Sequence, residues 1–314
     1  MNDNVKNSKL FTLIIFAYNA QDRIREVIES VLKQEYLDSY VEDILIIDNN
    51  SLDDTAEIIK FYQQKHKLIR YIFEGKQGLS NARLTGIKNT STPWVVFIDD
   101  DNILETNWIS EAYKFITKNQ DVGAFNGSVI PEFTEKLTDL EKDRLEIALE
   151  SLACTHLSRE SINFENYNHP YDLPFGAGLV IKKSPLDNLI NAGWLSLEGR
   201  KGDSLSSGED SEMCLFIKNE GYSYGYNPKM IINHKISKKR LEESYLKRLA
   251  GGISNSCYEL YEKDEPKIKV IAFTFLKLSI RYLQYIFSYK YKKRFKYSLS
   301  VERQRSKLKY VFKS

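Results

Sequence analysis

Short β-branched and aromatic runs alternate with segments of helical spacing through the first hundred residues. Phe11 to Phe16 reads as a strand. Ile24, Val27, Ile28, Val31 and Leu32 then recur at helical intervals, so they share one helix face. Ile44 to Ile47 is a second strand ending at Asp48. Asp53 is placed to cap a helix whose apolar positions are Ile58, Ile59 and Tyr62. Ile69 to Phe73 predicts a third strand, and Gly78 precedes a helix through Ala82 and Ile87. Trp94 to Ile98 predicts a fourth strand. This alternation implies an α/β fold, a parallel sheet with helices on both faces.

The second half is less regular. Leu179 to Lys182 reads as a strand after the Gly176-Ala177-Gly178 turn, and Leu195 to Gly208 as a mobile loop. Glu209 to Asn219 has the pattern of a helix. Tyr222 to Tyr226 and Met230 to Ile232 read as two short strands. Between Val270 and Tyr289 the polar residues Thr274, Lys277, Arg281, Gln284 and Ser288 recur every three or four positions. They form one narrow stripe on a helix that is otherwise apolar or aromatic.

Charge sharpens the picture of this tail. The whole chain of 314 residues carries a net charge of +2, yet from Lys267 onward there are 14 Lys/Arg and one acid, Glu302. The tail thus carries +13 and the remainder −11. A wide apolar helix beside the run Lys290-Tyr291-Lys292-Lys293-Arg294-Phe295-Lys296-Tyr297 suits an anchor on an anionic membrane surface. The alternative is a helix buried against the rest of the protein, followed by a solvated charge run. No recognition motif for nucleic acid accompanies the charge, so no nucleic-acid partner is expected.

Composition is that of an ordinary globular protein. Three scattered cysteines, Cys154, Cys214 and Cys257, with no Cys-x-x-Cys, support neither a disulfide framework nor a zinc ribbon. A reducing cytoplasm is the expected location, with attachment to the inner face of the cell membrane through the tail. Leu10 to Phe16 is too short for a signal peptide's core, and no run of eighteen apolar residues exists. There is no internal repeat.

The chemistry gathers at predicted strand ends. The first strand ends Phe16-Ala17-Tyr18-Asn19, and the second Asp48-Asn49-Asn50-Ser51. Asp99-Asp100-Asp101 follow the fourth strand. Three adjacent carboxylates repel one another, so a cation should hold them. Mg²⁺ or Mn²⁺ suits oxygen ligands and would bring a phosphate with it; a solvated acidic turn is the alternative. Gly78-Leu79-Ser80-Asn81-Ala82-Arg83 opens a helix, and so does Gly208-Glu209-Asp210 far downstream.

In order and spacing, this set resembles glycosyltransferase family 2, the inverting enzymes of the GT-A fold, over roughly the first 235 residues. The resemblance implies a Rossmann-like, mostly parallel sheet flanked by helices. Residues 1–235 form the catalytic domain (1–101 nucleotide-binding, 102–235 acceptor-binding), and 236–314 a helical basic C-terminal extension. It implies further that Ala17, Tyr18 and Asn19 cradle the nucleotide and that Asp48 hydrogen-bonds the base, usually uracil. Arg83 would line the donor site. Asp99 and Asp101 would bind ribose and metal, Asp101 being the metal ligand, Asp99 ribose or metal, and Asp100 facing the sugar. Asp210 would be the catalytic base, with Glu209 supporting it or orienting the acceptor. His234, after Met230-Ile231-Ile232-Asn233, matches a metal or diphosphate ligand.

Each role has a plainer rival: a turn residue for Asp48, a solvated helix residue for Arg83, a capping acid for Asp210, a structural histidine for His234. Gly176 to Gly178 would let backbone approach the donor sugar, and Trp194 would stack on an acceptor sugar or pack in the core. His66, His156 and His169 have no supporting context. Ala17 stands where the family often has proline, and Leu84 where an asparagine often follows the arginine. The Gln-x-x-Arg-Trp motif of processive synthases is absent.

The expected activity is therefore metal-dependent, inverting transfer of one sugar from a nucleotide-sugar, a UDP-sugar first, to a glycan or lipid-linked acceptor. Surface polysaccharide or glycoconjugate assembly is the expected setting. A sugar-nucleotide pyrophosphorylase should carry a glycine-rich phosphate loop after the first strand, and Phe16 to Ala20 has no glycine. An inactive glycan-binding scaffold should have lost the metal aspartate or the base, and both are retained.

Overall fold

The computed structural model describes residues 9–154, 162–164, 174–197, 199, 205 and 207–313. His156, His169 and most of the segment 198–206 lie outside them. In chain order the first elements are β1 (Phe11–Ala17), α1 (Ile24–Leu32), α2 (Leu37–Tyr40), β2 (Val41–Asp48), α3 (Thr55–Lys65), β3 (Ile69–Phe73), α4 (Leu79–Lys88) and β4 (Trp94–Asp99). Then come β5 (Asn102–Leu104), α5 (Trp108–Lys118), β6 (Val122–Glu132), α6 (Asp139–Ala148), β7 (Ile162–Phe164), β8 (Leu179–Lys182), α7 (Lys183–Asn191), α8 (Glu209–Asn219) and β9 (Ser223–Lys235). The chain closes with α9 (Glu243–Tyr261), α10 (Lys267–Ile286) and α11 (Tyr291–Val311).

Two compact units result. The first holds Met1–Glu132, Ala153–Glu198 and Glu209–Lys235, and the second holds Phe133–Leu152, Gly199–Gly208 and Ile236–Ser314. In the first unit one sheet runs in the order β3-β2-β1-β4-β8-β6-β9-β5, with β7 pairing to β9. The β3-β2-β1-β4 half is parallel throughout. β8 is antiparallel to both β4 and β6, while β6 and β9 are parallel.

Every residue of β1 is buried, and so are five of six in β4. A strand covered on both faces needs apolar side chains at every position, which is why these runs are uninterrupted. Ile14, Phe16, Val95 and Phe97 point to one face, where they pack with Ile87 of α4 and Met213, Cys214 and Ile217 of α8. A β-carbon on Gly86 would sit 2.7 Å from an Ile14 methyl, so glycine lets α4 lie close on β1. Those two helices carry Arg83 and Asp210.

The two short strands expected over Tyr222 to Ile232 are one strand, β9. Its register against β6 jumps from Gly127–Asn227 to Ser128–Ile231. The break lies at Pro228, which has no N–H to offer a ladder, and pairing resumes beyond it.

In the second unit α9, α10 and α11 share a small core of Tyr258, Val270 and Val311, with Ile271 and Tyr310 against it. Lys307 of α11 binds Glu262 at 2.6 Å. No described helix is long and apolar enough to cross a membrane.

Candidate functional site

Parallel register sets the strand ends side by side. Phe16 stands beside Asp99, and Ala17 beside Asp48. This is the carboxyl edge of the sheet at the point where the order departs from β1 in both directions, the usual ligand crevice of open α/β sheets. The turn after β1 is held open by its neighbour after β2. Asn19, in the left-handed region at φ 46°, donates its N–H to Ser51 Oγ at 3.0 Å, and its Oδ1 accepts from Leu52 N–H at 2.9 Å. Asparagine tolerates that conformation better than most residues.

Asp48 is buried beneath this pair of turns. One oxygen accepts the Ser51 N–H at 3.0 Å, and the other the Tyr71 hydroxyl at 2.9 Å. Burial and the Asp48 carboxylate push the Tyr71 phenol up to about 12, so it remains a donor. The geometry thus shows Asp48 building the turn. Asn49, given no role by the sequence, acts as a staple: its amide donates to the Lys76 carbonyl at 3.0 Å and accepts from Gly78 N–H at 2.7 Å. That fixes the entry to α4. The N-cap of α3 is Asp54, one residue beyond the expected Asp53; Asp53 instead accepts Thr55 N–H at 3.1 Å and Gln21 N–H at 3.2 Å just outside the helix.

The three aspartates separate. Asp100 is gripped by Arg23, whose Nε and Nη2 each lie 2.8 Å from a carboxylate oxygen. The same guanidinium donates to the Asn19 and Tyr18 carbonyls at 3.0 and 3.1 Å, while Tyr18 N–H donates to Asp100 at 3.1 Å. Arg23 therefore ties the turn after β1 to the turn after β4. Burial pushes the Asp100 carboxyl up to about 6, against the pull of Arg23. Sequence reasoning asked for a cation here and did not find this one, because its partner is 77 residues away.

Asp101 turns toward β9. Its carbonyl accepts Lys235 N–H at 2.9 Å, and its Oδ2 lies 3.2 Å from His234 Nε2. His234 is buried, and Cys154 Sγ lies 3.8 Å from its Nδ1, so the ring is oriented with Nε2 toward the aspartate. A carboxylate oxygen and an imidazole nitrogen in contact are a donor pair suited to Mn²⁺. Among the described residues no group of three or more His, Cys, Asp and Glu side chains is placed to hold an ion. Asp99 is thus not gathered with Asp101 and His234 into a three-ligand cluster. It ends β4 in register with Phe16, whereas Asp101 belongs to the turn leading to β5.

The other acidic pair opens α8. Arg83 is 2% exposed, far from the solvated helix residue the sequence allowed. Its Nη1 donates to Glu209 Oε1 at 2.8 Å, and its guanidinium carbon lies 5.9 and 5.4 Å from the ring centroids of Phe16 and Phe97. Asp210, next along, accepts Gly176 N–H at 2.7 Å and Ser211 N–H at 2.8 Å. The first turn of a helix favours such an anion. A β-carbon on Gly176 would come within 2.5 Å of Arg83 Nη2 and 3.3 Å of Asp210 Oδ2. The Gly176 turn, Arg83, Glu209 and Asp210 are therefore one packed cluster. Trp194 takes its plainer reading and packs against the main core.

The model of the family described as "Glycosyl transferase family 2" matches residues 12–167, about half of the chain. Glycosyltransferase GlyA of Streptococcus pneumoniae is 32% identical over 109 residues, which are 35% of this chain and 15% of that protein. The first curated relatives are longer proteins, of which the matched segments span 15–31%. Among solved structures, the mannosyltransferase PcManGT of Pyrobaculum calidifontis, in complex with GDP-Man and Mn²⁺, superposes with a TM-score of 0.56. It is 19% identical and covers 80% of this chain and 63% of its own. TarS 1–349 of S. aureus in complex with UDP-GlcNAc has a TM-score of 0.52 at 13% identity, covering 94% of this chain and 91% of its own. At these identities the two structures establish a shared GT-A fold.

Proposed function

Because the chain belongs to glycosyltransferase family 2, we propose that it moves one sugar from a nucleotide-sugar to a glycan or lipid-linked acceptor with inversion at the anomeric carbon. The donor we favour is a UDP-sugar, and the setting is surface polysaccharide or glycoconjugate assembly. The observation that carries this reading is the pairing of Asp101 with His234 across 133 residues at the carboxyl edge of the parallel strands. It supplies a place for a diphosphate and its counter-ion. Asp210 supplies a separate carboxylate for the acceptor.

In this reading the turns at Ala17–Asn19 and Asp48–Ser51 seat the nucleoside. Asp48 faces the base from beneath its turn, and Asp99 takes the ribose. Asp101 and His234 would hold Mn²⁺ or Mg²⁺. Such an ion neutralises charge that grows on a departing diphosphate. The acceptor hydroxyl attacks the anomeric carbon from the face opposite the leaving group. A new carbon–oxygen bond forms as the bond to the diphosphate breaks, and Asp210 takes the hydroxyl proton. Gly176 N–H and Ser211 N–H aim the Asp210 carboxylate, and Arg83 holds Glu209 beside it.

A panel of nucleotide-sugars is tested with Mn²⁺ for donor binding, slow donor hydrolysis and transfer to glycan acceptors. One donor should shift the melting temperature and be turned over. Asp210→Asn should bind that donor within about threefold of wild type while transfer falls by about 10²–10⁴. Normal turnover by the variant would remove Asp210 as the base, and the absence of any donor binding would sink the reading itself.

A further inference from the structure

We propose that the exposed face of α10 lies in the plane of an anionic lipid surface, with the basic start of α11 against the headgroups. The proposal concerns the second unit alone and is independent of the reaction proposed above. An amphipathic helix on a globular protein ordinarily buries its apolar side and turns its polar side to water. α10 leaves most of its apolar side exposed. Its buried residues are Val270 and Thr274. Thr274 satisfies its hydroxyl on the Val270 carbonyl at 2.7 Å, as a buried hydroxyl must. Of the polar stripe, Thr274 is buried while Lys277 and Arg281 are exposed, so the packed side is a narrow strip through Val270 and Thr274.

What faces outward is apolar. Ile268, Phe273, Leu276, Ile280, Leu283 and Ile286 are 46–78% exposed. At about 100° per residue they cover an arc of roughly 140° along a helix about 30 Å long. Within that arc the polar positions are Lys269 and Ser279. A contiguous apolar face of this kind marks an interaction site.

The cations around it select a lipid surface. Lys277 stands at the edge of the arc, its ammonium 4.2 Å from the Phe273 ring centroid, as a snorkelling lysine would. Lys290, which caps α11, and Lys293 and Lys296 on it follow, all exposed. Tyr289, 97% exposed, lies between the two helices at the level an interfacial aromatic takes. From Lys267 the chain carries +13. Thr274, Lys277, Arg281 and Gln284 interrupt the apolar sequence of α10, and no described helix is long and apolar enough to cross a membrane, so the segment lies on a bilayer and does not cross it.

The test uses the full chain and sedimentable phosphatidylcholine vesicles with or without phosphatidylglycerol, no donor or acceptor being present. Wild type should partition onto the anionic vesicles at least about tenfold better than onto neutral ones, and lose that advantage in high salt. Leu276→Glu with Leu283→Glu, both exposed positions, should keep the wild-type melting temperature and lose binding to both vesicle types. Lys290→Ala, Lys293→Ala and Lys296→Ala together should weaken anionic binding by about a hundredfold and leave neutral binding unchanged. The proposal fails if wild type sediments with neither vesicle, or if the double glutamate variant binds as well as wild type. It also fails if that variant converts a solution dimer to monomer with no vesicle binding, which would make the face a contact between copies. Loss of turnover in any variant does not bear on it.

Discussion

Arg83→Met separates what the Arg83–Glu209 pair does for stability from what it does for chemistry. The two side chains are 2% and 4% exposed, with 2.8 Å between Nη1 and Oε1. Methionine keeps much of the arginine stem's volume between Phe16 and Phe97 and removes the cation. Glu209, buried, then loses the guanidinium it pairs with. Breaking a buried pair in this way costs about 3–5 kcal/mol, because the remaining charge keeps its desolvation penalty. At roughly 2–4 °C per kcal/mol for a unit of this size, melting should fall by about 6–20 °C. The double variant Arg83→Met, Glu209→Met removes both charges. Well-packed apolar replacement of a buried pair is neutral or better, so the double variant should melt within about 4 °C of wild type. It should nevertheless fail in transfer, because Glu209 adjoins the proposed base. Scanning calorimetry of the wild type, the single and the double variants decides the matter. A single variant within about 2 °C of wild type, or a double variant no better than the single, would refute the buried-charge argument.

Three further outcomes follow from the same geometry. Gly176→Ala puts a β-carbon 2.5 Å from Arg83 Nη2, and that buried arginine is held by Glu209, so the turn must shift away from Asp210. kcat should drop by about 10–100-fold with the fold retained, and unchanged kcat would show that Asp210 is not aimed by this turn. Arg23→Met releases Asp100 and two turn carbonyls. Donor KM should rise by about tenfold or more, the worth of a charge-assisted hydrogen-bond fork, with a smaller change in kcat; an unaltered KM would remove Arg23 as an organiser of the donor turn. His234→Ala should weaken Mn²⁺ binding at least about tenfold, measured by titration calorimetry with nucleoside diphosphate present; equal affinity would detach His234 from the ion.

The centre of the parallel half was legible because β1 and β4 are covered on both faces, and a doubly buried strand is one unbroken apolar run. β3 and β8 span the residues the pattern predicts, and β1 and β4 run one residue further, to Ala17 and Asp99. β6 was not legible. Its buried positions include Gly123, Asn126, Gly127 and Ser128, small or polar residues that do not read as a strand. β9 reads as two pieces because the Asn227-Pro228 pair punctuates it, although the ladder closes again after the bulge. The site divides in the same way. The family resemblance named Asp101 and His234 as ligands of one ion, and the sequence pattern set Glu209-Asp210 at the head of a helix. It could not show that Arg83 is consumed by Glu209, 126 residues on, or that Arg23 is the counter-ion of Asp100. A long-range ion pair leaves no local trace, since each partner looks like an ordinary solvated charge on its own element.

The tail shows a subtler limit. Periodicity identified the narrow polar stripe of α10, yet a stripe has two sides, and spacing does not say which one packs. Water would favour burying the broad apolar side, since each fully buried large apolar side chain contributes about 1.5–3 kcal/mol. α10 instead sets Val270 against Tyr258 of α9 and Val311 of α11, buries Thr274, and leaves Ile268, Leu276 and Leu283 outside. A fold that gives up that stabilisation in solution recovers it where the exposed side meets another apolar phase. With Lys277 at one edge of that side and the basic run from Lys290 beyond it, the phase that fits is the upper layer of an anionic bilayer. Thr274→Leu would test the packed side: if α10 docks through Val270 and Thr274, the added bulk at a site 2% exposed should lower the melting temperature by about 2–8 °C, as overpacking does. An unchanged or raised melting temperature would mean that this strip is not the packed side, and the argument for an outward apolar face would fall with it.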